Sequence, residues 1–153
     1  METSKRSHAI DFVWSKASWE DMAKYATPAE TTRIMAAFAS IPSQLTKENK
    51  KFQYKSIKPG ARAYDYELPI DWLTAAGVII KTNKVTEGKM PLNIFSETSS
   101  FKIYMTDVGL LSVKFGVPAN IILSQGNGYE NFKGALAANY VAGALKMSGQ
   151  NAF

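Results

Sequence analysis

The sequence contains no cysteine and only one histidine, His8, and these absences exclude several classes of site. Without cysteine there is no disulfide framework, no thiolate metal site and no thiol nucleophile. One histidine cannot build a histidine-rich zinc site. Nothing around His8 resembles the nucleophile elbow of a serine hydrolase, so we interpret it as a solvated residue of the N-terminal segment. We therefore expect no metal, no cofactor and no catalytic residues.

Long apolar runs and phosphate-binding loops are also missing. No run approaches the roughly 18 apolar residues that a membrane-spanning helix needs. Charges interrupt the N-terminal segment throughout and exclude a signal peptide: Asp11, Lys16, Glu20, Asp21 and Lys24. The chain has no G-x-x-x-x-G-K-S/T motif and therefore no P-loop. A cytoplasmic protein without enzymatic activity and without a membrane partner fits these absences best.

The positive charge of the chain is concentrated in one segment. The 153 residues include 18 Lys and Arg against 13 Asp and Glu, a net charge of +5. Residues 47–62 hold six basic residues against one acid, Glu48, and so carry the whole excess. We call these six residues the basic window: Lys47, Lys50, Lys51, Lys55, Lys58 and Arg62.

Aromatic residues are interleaved with the basic window, at Phe52, Tyr54 and Tyr64. Basic side chains neutralise phosphates, and rings pack on sugars or bases, so the pattern favours double-stranded DNA as a partner. The alternative is a solvated loop whose lysine stems lie over a small core.

The first half of the chain carries three helical patterns. Thr27 and Pro28 predict a helix start, and Pro42 predicts a break followed by a second, short helix. Alternating residues over 51–57 predict a short strand. A third helix is predicted over 61–76, with a kink or split at Pro69 and a stop at Gly77. Its apolar stripe is Tyr64, Leu68 and Trp72, with Leu73 beside it.

The second half alternates strands and helices. Strands are predicted over 78–85 and 101–106, and in the second strand Phe101, Ile103 and Met105 share one face while Lys102, Tyr104 and Thr106 share the other. A short helix over 110–115 follows. The last helix, over 129–147, has these residues in line: Phe132, Leu136, Tyr140 and Ala144.

This order predicts an α+β fold with a winged-helix-like core over residues 28–115. The third helix would enter a major groove, and the two strands would form the wing. Residues 1–27, with a short helix over 18–26, lead into the core, and residues 116–153 add a linker and the C-terminal helix. The third helix carries Asp65, Glu67 and Asp71, which repel a phosphate backbone. A protein-interaction or regulatory module is therefore the alternative function.

Several motifs resemble, in order, those of one known family. They are Ile-Pro-Ser-Gln-Leu at 41–45, Lys-Glu-Asn-Lys-Lys-Phe-Gln-Tyr at 47–54, Asp-Trp-Leu through Ala-Gly at 71–77, Phe-Lys-Ile-Tyr-Met-Thr-Asp-Val-Gly-Leu-Leu at 101–111, and Phe-Lys-Gly-Ala-Leu with Asn-Tyr-Val at 132–141. The family is a large set of prokaryotic AAA-type P-loop ATPases with a C-terminal domain of unknown function. The resemblance spans roughly residues 20–149.

The resemblance implies that the chain is a fragment of such a protein. Relatives carry a P-loop ATPase core before this segment and a strand-rich, restriction-nuclease-like region after it. Their pattern has a glutamate at the position of Ala138, where nuclease-like folds place a metal-binding carboxylate. The resemblance therefore implies a recognition module without a nuclease site. Docking on an ATPase core without contact to nucleic acid is the alternative function.

Two local patterns imitate catalytic motifs. Asp71 with Glu87-Gly88-Lys89 has the spacing of a metal nuclease, and residues 103–107 imitate a Walker B strand. We expect the first pattern to lie in a solvated turn of the wing. We interpret Asp107 as a turn former that bonds backbone N–H groups before Gly109.

The C-terminal helix carries an apolar stripe that the chain must cover: Phe132, Leu136, Tyr140 and Val141. A stripe of this kind rarely stays exposed. We expect the helix either to fold back on the core or to pair with a second copy, which would make a homodimer through residues 129–147.

The absence of a P-loop gives the first testable prediction. We expect the chain neither to bind nor to hydrolyse ATP, because no glycine-rich loop is present to hold the phosphates. Isothermal titration with Mg-ATP should show only heats of dilution. A clear one-site isotherm would reveal a phosphate site that the sequence conceals.

Overall fold

The fold combines helices with one small sheet. The structure is a computed structural model that describes residues 20, 24–118, 120–121 and 129–150. Four α-helices are described along their whole length: α1 (Pro28–Leu45), α2 (Ala63–Ala75), α3 (Val108–Lys114) and α4 (Glu130–Met147). Strands β1 (Ile79–Val85) and β2 (Ser96–Met105) pair antiparallel, and 3-10 helices cover Tyr54–Ser56 and Leu92–Phe95.

The predicted α+β class is confirmed, and the arrangement is compatible with a winged helix. The strands predicted over 78–85 and 101–106 and the last two predicted helices lie within a few residues of their expected positions. His8, most of the helix predicted over 18–26 and part of the linker after residue 116 lie outside the described residues.

Helix α1 begins at the predicted pair Thr27 and Pro28. The Thr27 hydroxyl accepts a hydrogen bond from the Glu30 backbone N–H at 3.3 Å, and the Glu30 carboxylate accepts one from the Thr27 backbone N–H at 2.8 Å. This reciprocal capping box satisfies two donors that the first turn leaves free. The bond from the Thr27 backbone is the main reason why the pKa of Glu30 lies below its ordinary value.

The internal prolines do not interrupt their helices, so the predicted break at Pro42 and the predicted kink or split at Pro69 are wrong. Helix α1 continues through Pro42 to Leu45, and α2 continues through Pro69. A proline inside a helix costs about 3 kcal/mol. Ile41 and Leu45 are each only 1% exposed, and burying two such side chains returns roughly 3–6 kcal/mol. Burial therefore outweighs the cost of Pro42.

The strand predicted over 51–57 is also wrong. One ladder-like hydrogen bond exists, from the Phe52 N–H to the Phe101 carbonyl at 2.8 Å, and then the chain turns into the 3-10 helix. The next backbone N–H, that of Gln53, donates to the buried Gln44 side chain at 2.7 Å instead. This side-chain bond replaces the ladder and holds the segment against the end of α1.

Strands β1 and β2 form a ribbon whose two faces differ, as the alternation predicts. Ile79 pairs with Met105 and Thr82 pairs with Lys102, and the register shifts between Asn83 and Lys84. On β2 one face is buried in the core, while Lys102 on the other face is exposed. The buried residues of β2 are Phe101, Ile103 and Met105.

Helix α2 presents a different face to the core from the one predicted. Its buried residues are Tyr66, Pro69, Ile70 and Leu73. Tyr64 is 91% exposed and Leu68 is 72% exposed, so the predicted stripe faces solvent at these two positions. Both faces of α2 carry apolar residues, and its neighbours α1 and β1 select which one is buried.

The predicted stop at Gly77 is confirmed. Gly77 has φ +72°, a conformation that glycine adopts without strain. Its N–H donates to the Thr74 carbonyl and the Val78 N–H donates to the Leu73 carbonyl, which is a Schellman motif. The chain therefore leaves α2 directly into β1.

Helix α4 folds back on the core, one of the two outcomes expected for it. The Phe132 ring meets the Phe115 ring edge-on at 4.7 Å. The predicted stripe is wrong in its second half, because Tyr140 and Val141 are 65% and 54% exposed. The face that packs inward is instead the following set: Phe132, Ala135, Asn139 and Ala142.

A polar contact fixes α4 to the ribbon. The Asn139 side chain accepts a hydrogen bond from the Met105 N–H at 2.7 Å and donates one to the Met105 carbonyl at 2.8 Å. Asn139 is 1% exposed and Met105 is fully buried. Buried backbone groups need hydrogen-bond partners. The Asn139 side chain supplies them to Met105 at the edge of β2, as the backbone of a third strand would.

We expect Asn139→Ala to destabilise the fold strongly. The change leaves two buried backbone groups of Met105 unpaired, at about 1–3 kcal/mol each. We predict a loss of about 2–4 kcal/mol and a drop in melting temperature of roughly 5–15 °C, measured by circular dichroism.

The matched control is Asn131→Ala, an exposed asparagine on the same helix. This control should stay within about 0.5 kcal/mol of the parent. Equal melting temperatures for the two variants would show that the Asn139 contact does not hold α4.

Candidate nucleic-acid interface

The residues of the basic window lie at the protein surface. Lys47, Lys51, Lys55, Lys58 and Arg62 are exposed, and Lys50 is half-buried. Two of them have neutral partners: the Lys47 ammonium donates to the Ser56 hydroxyl at 2.7 Å, and the Lys50 ammonium donates to the Gly134 carbonyl at 3.3 Å. The second bond links the window to α4 and leaves the charge of Lys50 uncompensated.

Within the described residues, none of the six side chains forms an ion pair with a carboxylate, whereas basic residues elsewhere do. The pairs outside the window are Arg33 with Asp65 at 3.9 Å, Lys81 with Asp71 at 3.7 Å, Lys84 with Glu97 at 3.7 Å, and Lys89 with Glu87 at 2.7 Å. The window therefore groups six basic side chains without an ion pair, while Lys102 and Lys146 are isolated cases elsewhere among the described residues.

Two of the three aromatic residues interleaved with the basic window, Phe52 and Tyr54, pack in or against the core. Phe52 is buried and stacks on Phe101 at 5.5 Å, and Tyr54 meets both rings edge-on. The expectation that these rings pack on nucleic acid is wrong for the buried Phe52. Only Tyr64 of the three predicted rings is free at the surface, at 91% exposure.

The outward face of α2 is acidic. Glu67 and Asp71 are exposed on it beside Tyr64 and Leu68, and α2 contains no basic residue. Carboxylates repel phosphates, so this face does not suit the major groove of DNA. The basic side chains instead precede α2, around the 3-10 helix and the turn that leads into α2.

The carboxylates of α2 also act on Tyr54. Burial raises the pKa of Tyr54 above 10.0, and the negative charges of Glu67 and Asp71 raise it further. Burial alone raises the pKa of Tyr104. Tyr54 therefore lies within the electrostatic influence of α2.

A groove runs between the ribbon and α4, with a volume of about 1060 Å³. Lysines line one side, and the apolar residues Val141 and Leu145 of α4 line the other. The lysines come from three segments: Lys51 from the loop after α1, Lys84 from β1 and Lys102 from β2. The described residues that line the groove include no Asp or Glu.

Lys84 and Lys102 are not among the predicted site residues. The alternation along β2 did place Lys102 on the face opposite the core, so a signal for it was present. Their meeting with Lys51 depends on the position of α4, which no local pattern specifies. Asn83 also lines this groove, and its side-chain oxygen is buried without a hydrogen-bond partner in the described structure.

The patterns that imitate catalytic motifs do not assemble a site. Glu87 pairs with its neighbour Lys89, and Asp71 pairs with Lys81. Among the described residues, no group of three Asp, Glu or His side chains could hold a metal ion. The carboxylate of Asp107 accepts hydrogen bonds from the Gly109 and Leu110 N–H groups, which confirms its predicted role and caps α3.

Comparison with known proteins gives one match. The model of a family described as Domain of unknown function (DUF8612) matches residues 4–120, more than three quarters of the chain. The matched region includes the basic window and both strands and ends before α4. No curated protein and no solved structure matches the chain. In the part of the chain that the structure describes, no helix is both long and apolar enough to cross a bilayer.

The raised pKa of Tyr54 predicts a specific response to mutation. Because the folded protein holds this proton more tightly than the unfolded chain, the associated stability is present below pH 10 and is lost as the pH rises through the folded-state pKa. Glu67→Gln should lower the pKa of Tyr54 and leave that of Tyr104 unchanged.

Ultraviolet titration of the phenols measures this effect, with Tyr54→Phe identifying the Tyr54 signal. The control is Glu48→Gln, which removes an exposed carboxylate outside α2. An identical Tyr54 titration in the Glu67→Gln protein would contradict the placement of Tyr54 beside the carboxylates of α2.

Proposed function

We propose that this chain, which belongs to the DUF8612 family, is a non-catalytic recognition module that binds double-stranded DNA through the basic window. The observation that supports this proposal is the unpaired state of the six basic side chains. They lie at the surface, and none is neutralised by a carboxylate of the described structure. Such charges release condensed counterions from DNA when they contact phosphates.

The distribution of charge defines the mode of binding that we propose. Contacts to phosphates position a protein on a duplex but do not read its sequence. The carboxylates on the outward face of α2 repel the phosphate backbone of DNA. Helix α2 therefore does not act as a recognition helix in this proposal. The loop between α1 and α2 makes the contacts, and the affinity does not depend on DNA sequence.

We also propose that the module is related to prokaryotic AAA-type ATPases and works beside an ATPase core in the cytoplasm. The order of the motifs between residues 41 and 141 supports this relationship. Reading the neighbouring coding sequence for a P-loop before the segment and a nuclease-type strand after it tests the relationship directly. If neither the P-loop nor the nuclease-type strand is found, the proposed relationship is wrong.

A protein-interaction module is the second candidate function, and one observation favours it. The acidic helix α2 exposes Tyr64 and Leu68, which are 91% and 72% accessible. Large apolar side chains exposed together on an acidic helix suit a protein partner better than a phosphate backbone. A homodimer through α4 is a further route to association, since Tyr140 and Met147 are also exposed there.

The DNA-binding proposal predicts strong salt dependence. If about four basic residues touch phosphates, the logarithm of the affinity should fall against the logarithm of salt concentration with a slope near −3.6. Lys55→Glu with Lys58→Glu should weaken binding and reduce the slope to about −1.8. Fluorescence anisotropy with a labelled duplex at several salt concentrations measures both quantities. These two lysines were chosen because they have no hydrogen-bond partner among the described residues.

The control is Lys89→Glu with Lys146→Glu, which changes the net charge equally at two exposed positions outside the window. This control should retain most of the affinity and most of the slope. Absence of duplex binding at low salt, or equal losses in the two double variants, would overturn the proposal and favour the protein-interaction function.

A further inference from the structure

The groove between the ribbon and α4 has the character of a protein-binding site. Lysines from three segments line it, and Lys51 and Lys102 have no carboxylate partner among the described residues. Opposite them, Val141 and Leu145 are 54% and 37% exposed. At about 1060 Å³ the groove has room for several side chains. It therefore suits a segment that carries acidic and apolar residues together.

Nucleic acid fits this groove less well. Single-stranded nucleic acids bind by stacking their bases on exposed aromatic rings. The aromatic residues that line the groove are Phe101, which is buried, and Tyr104, which is half-buried. The aliphatic wall of α4 offers no stacking platform.

Helix α2 has the complementary character. It carries three acidic residues and no basic one; Asp65 pairs with Arg33 and Asp71 with Lys81, and Glu67 forms no ion pair among the described residues. Glu67 is exposed between Tyr64 and Leu68, and these two side chains lie one helical turn apart on the outward face. Exposed apolar residues beside acids match the apolar wall and the lysines of the groove.

The groove and helix α2 lie on opposite sides of the ribbon. The Lys81 side chain points towards α2, where it pairs with Asp71. Thr82, the next residue of β1, pairs with Lys102 of β2, and both line the groove. Because successive side chains of a strand point to opposite faces, Lys81 lies on the α2 side of the ribbon and Lys102 on the other, so α2 does not reach Lys102 of its own chain.

We propose that the groove binds the outward face of α2 from a second copy of this chain. Tyr64 and Leu68 of one copy pack against Val141 and Leu145 of the other, and Glu67 lies near Lys51 and Lys102. Since different surfaces meet, the contact is head-to-tail and builds a ring or an open chain of copies. The contact needs no DNA, although Lys51 belongs both to the groove and to the basic window.

Sedimentation velocity of the full chain without DNA tests the proposal. The mean sedimentation coefficient should rise with protein concentration, and added salt should reduce the rise. A groove variant, Lys51→Glu with Lys102→Glu, and a helix variant, Tyr64→Ser with Leu68→Ser, should each weaken association at least tenfold. All four positions are exposed, so both variants should keep the parent melting temperature.

Mixing the two variants gives the decisive result. One intact groove and one intact helix remain in the mixture, so an equimolar solution should form a one-to-one dimer and nothing larger. The controls are Lys58→Glu with Lys146→Glu for charge and Met35→Ser with Met90→Ser for exposed apolar surface. Both controls should associate like the parent chain.

Three outcomes would overturn the proposal. The first is a parent chain that stays monomeric up to about millimolar concentration. The second is a mixture of the groove and helix variants that remains monomeric. The third is association that survives both variants and is lost with Tyr140→Ser and Met147→Ser, which would assign it to a symmetric contact through α4.

Discussion

The bidentate contact between Asn139 and Met105 is the constraint on which the arrangement of this protein depends. A two-stranded ribbon is marginal by itself, because its edges leave backbone groups without partners. Asn139 pairs both backbone groups of Met105 inside the core, at 2.7 and 2.8 Å. This contact places α4 along the edge of β2, where the Phe115 and Phe132 rings then meet at 4.7 Å.

Once α4 is in place, the charges of the chain separate onto different surfaces. The Lys50 ammonium donates a hydrogen bond to the Gly134 carbonyl of α4, which links the basic window to that helix. Three acidic residues lie on α2, where Asp71 pairs with Lys81 of β1. The chain thus presents a basic surface at the window and an acidic, partly apolar surface on α2. This separation is the physical basis of both functional proposals.

The sequence predicts the features whose chemical cause is local. The helix start at Thr27 and Pro28, the stop at Gly77 and the turn at Asp107 each depend on residues a few positions apart. Predictions fail where packing against residues distant in sequence determines the local conformation. Pro42 stays helical because its neighbours Ile41 and Leu45 are packed in the core. Asn139 could not be identified because its partner lies 34 positions away and is a backbone group. The outward turn of Tyr64 and Leu68 likewise reflects the packing of α1 and β1 rather than any pattern in α2.

Mapping the contact surface of a DNA duplex on the isotopically labelled chain by nuclear magnetic resonance tests the central claim most directly. The account predicts that backbone amide signals of residues 47–62 shift progressively during titration at low salt, while those of the outward face of α2 do not. The shifts should disappear together as salt is raised, because they arise from phosphate contacts. Shifts centred on Tyr64, Glu67 and Leu68, or no shifts at any duplex concentration, would contradict the assignment of DNA binding to the basic window.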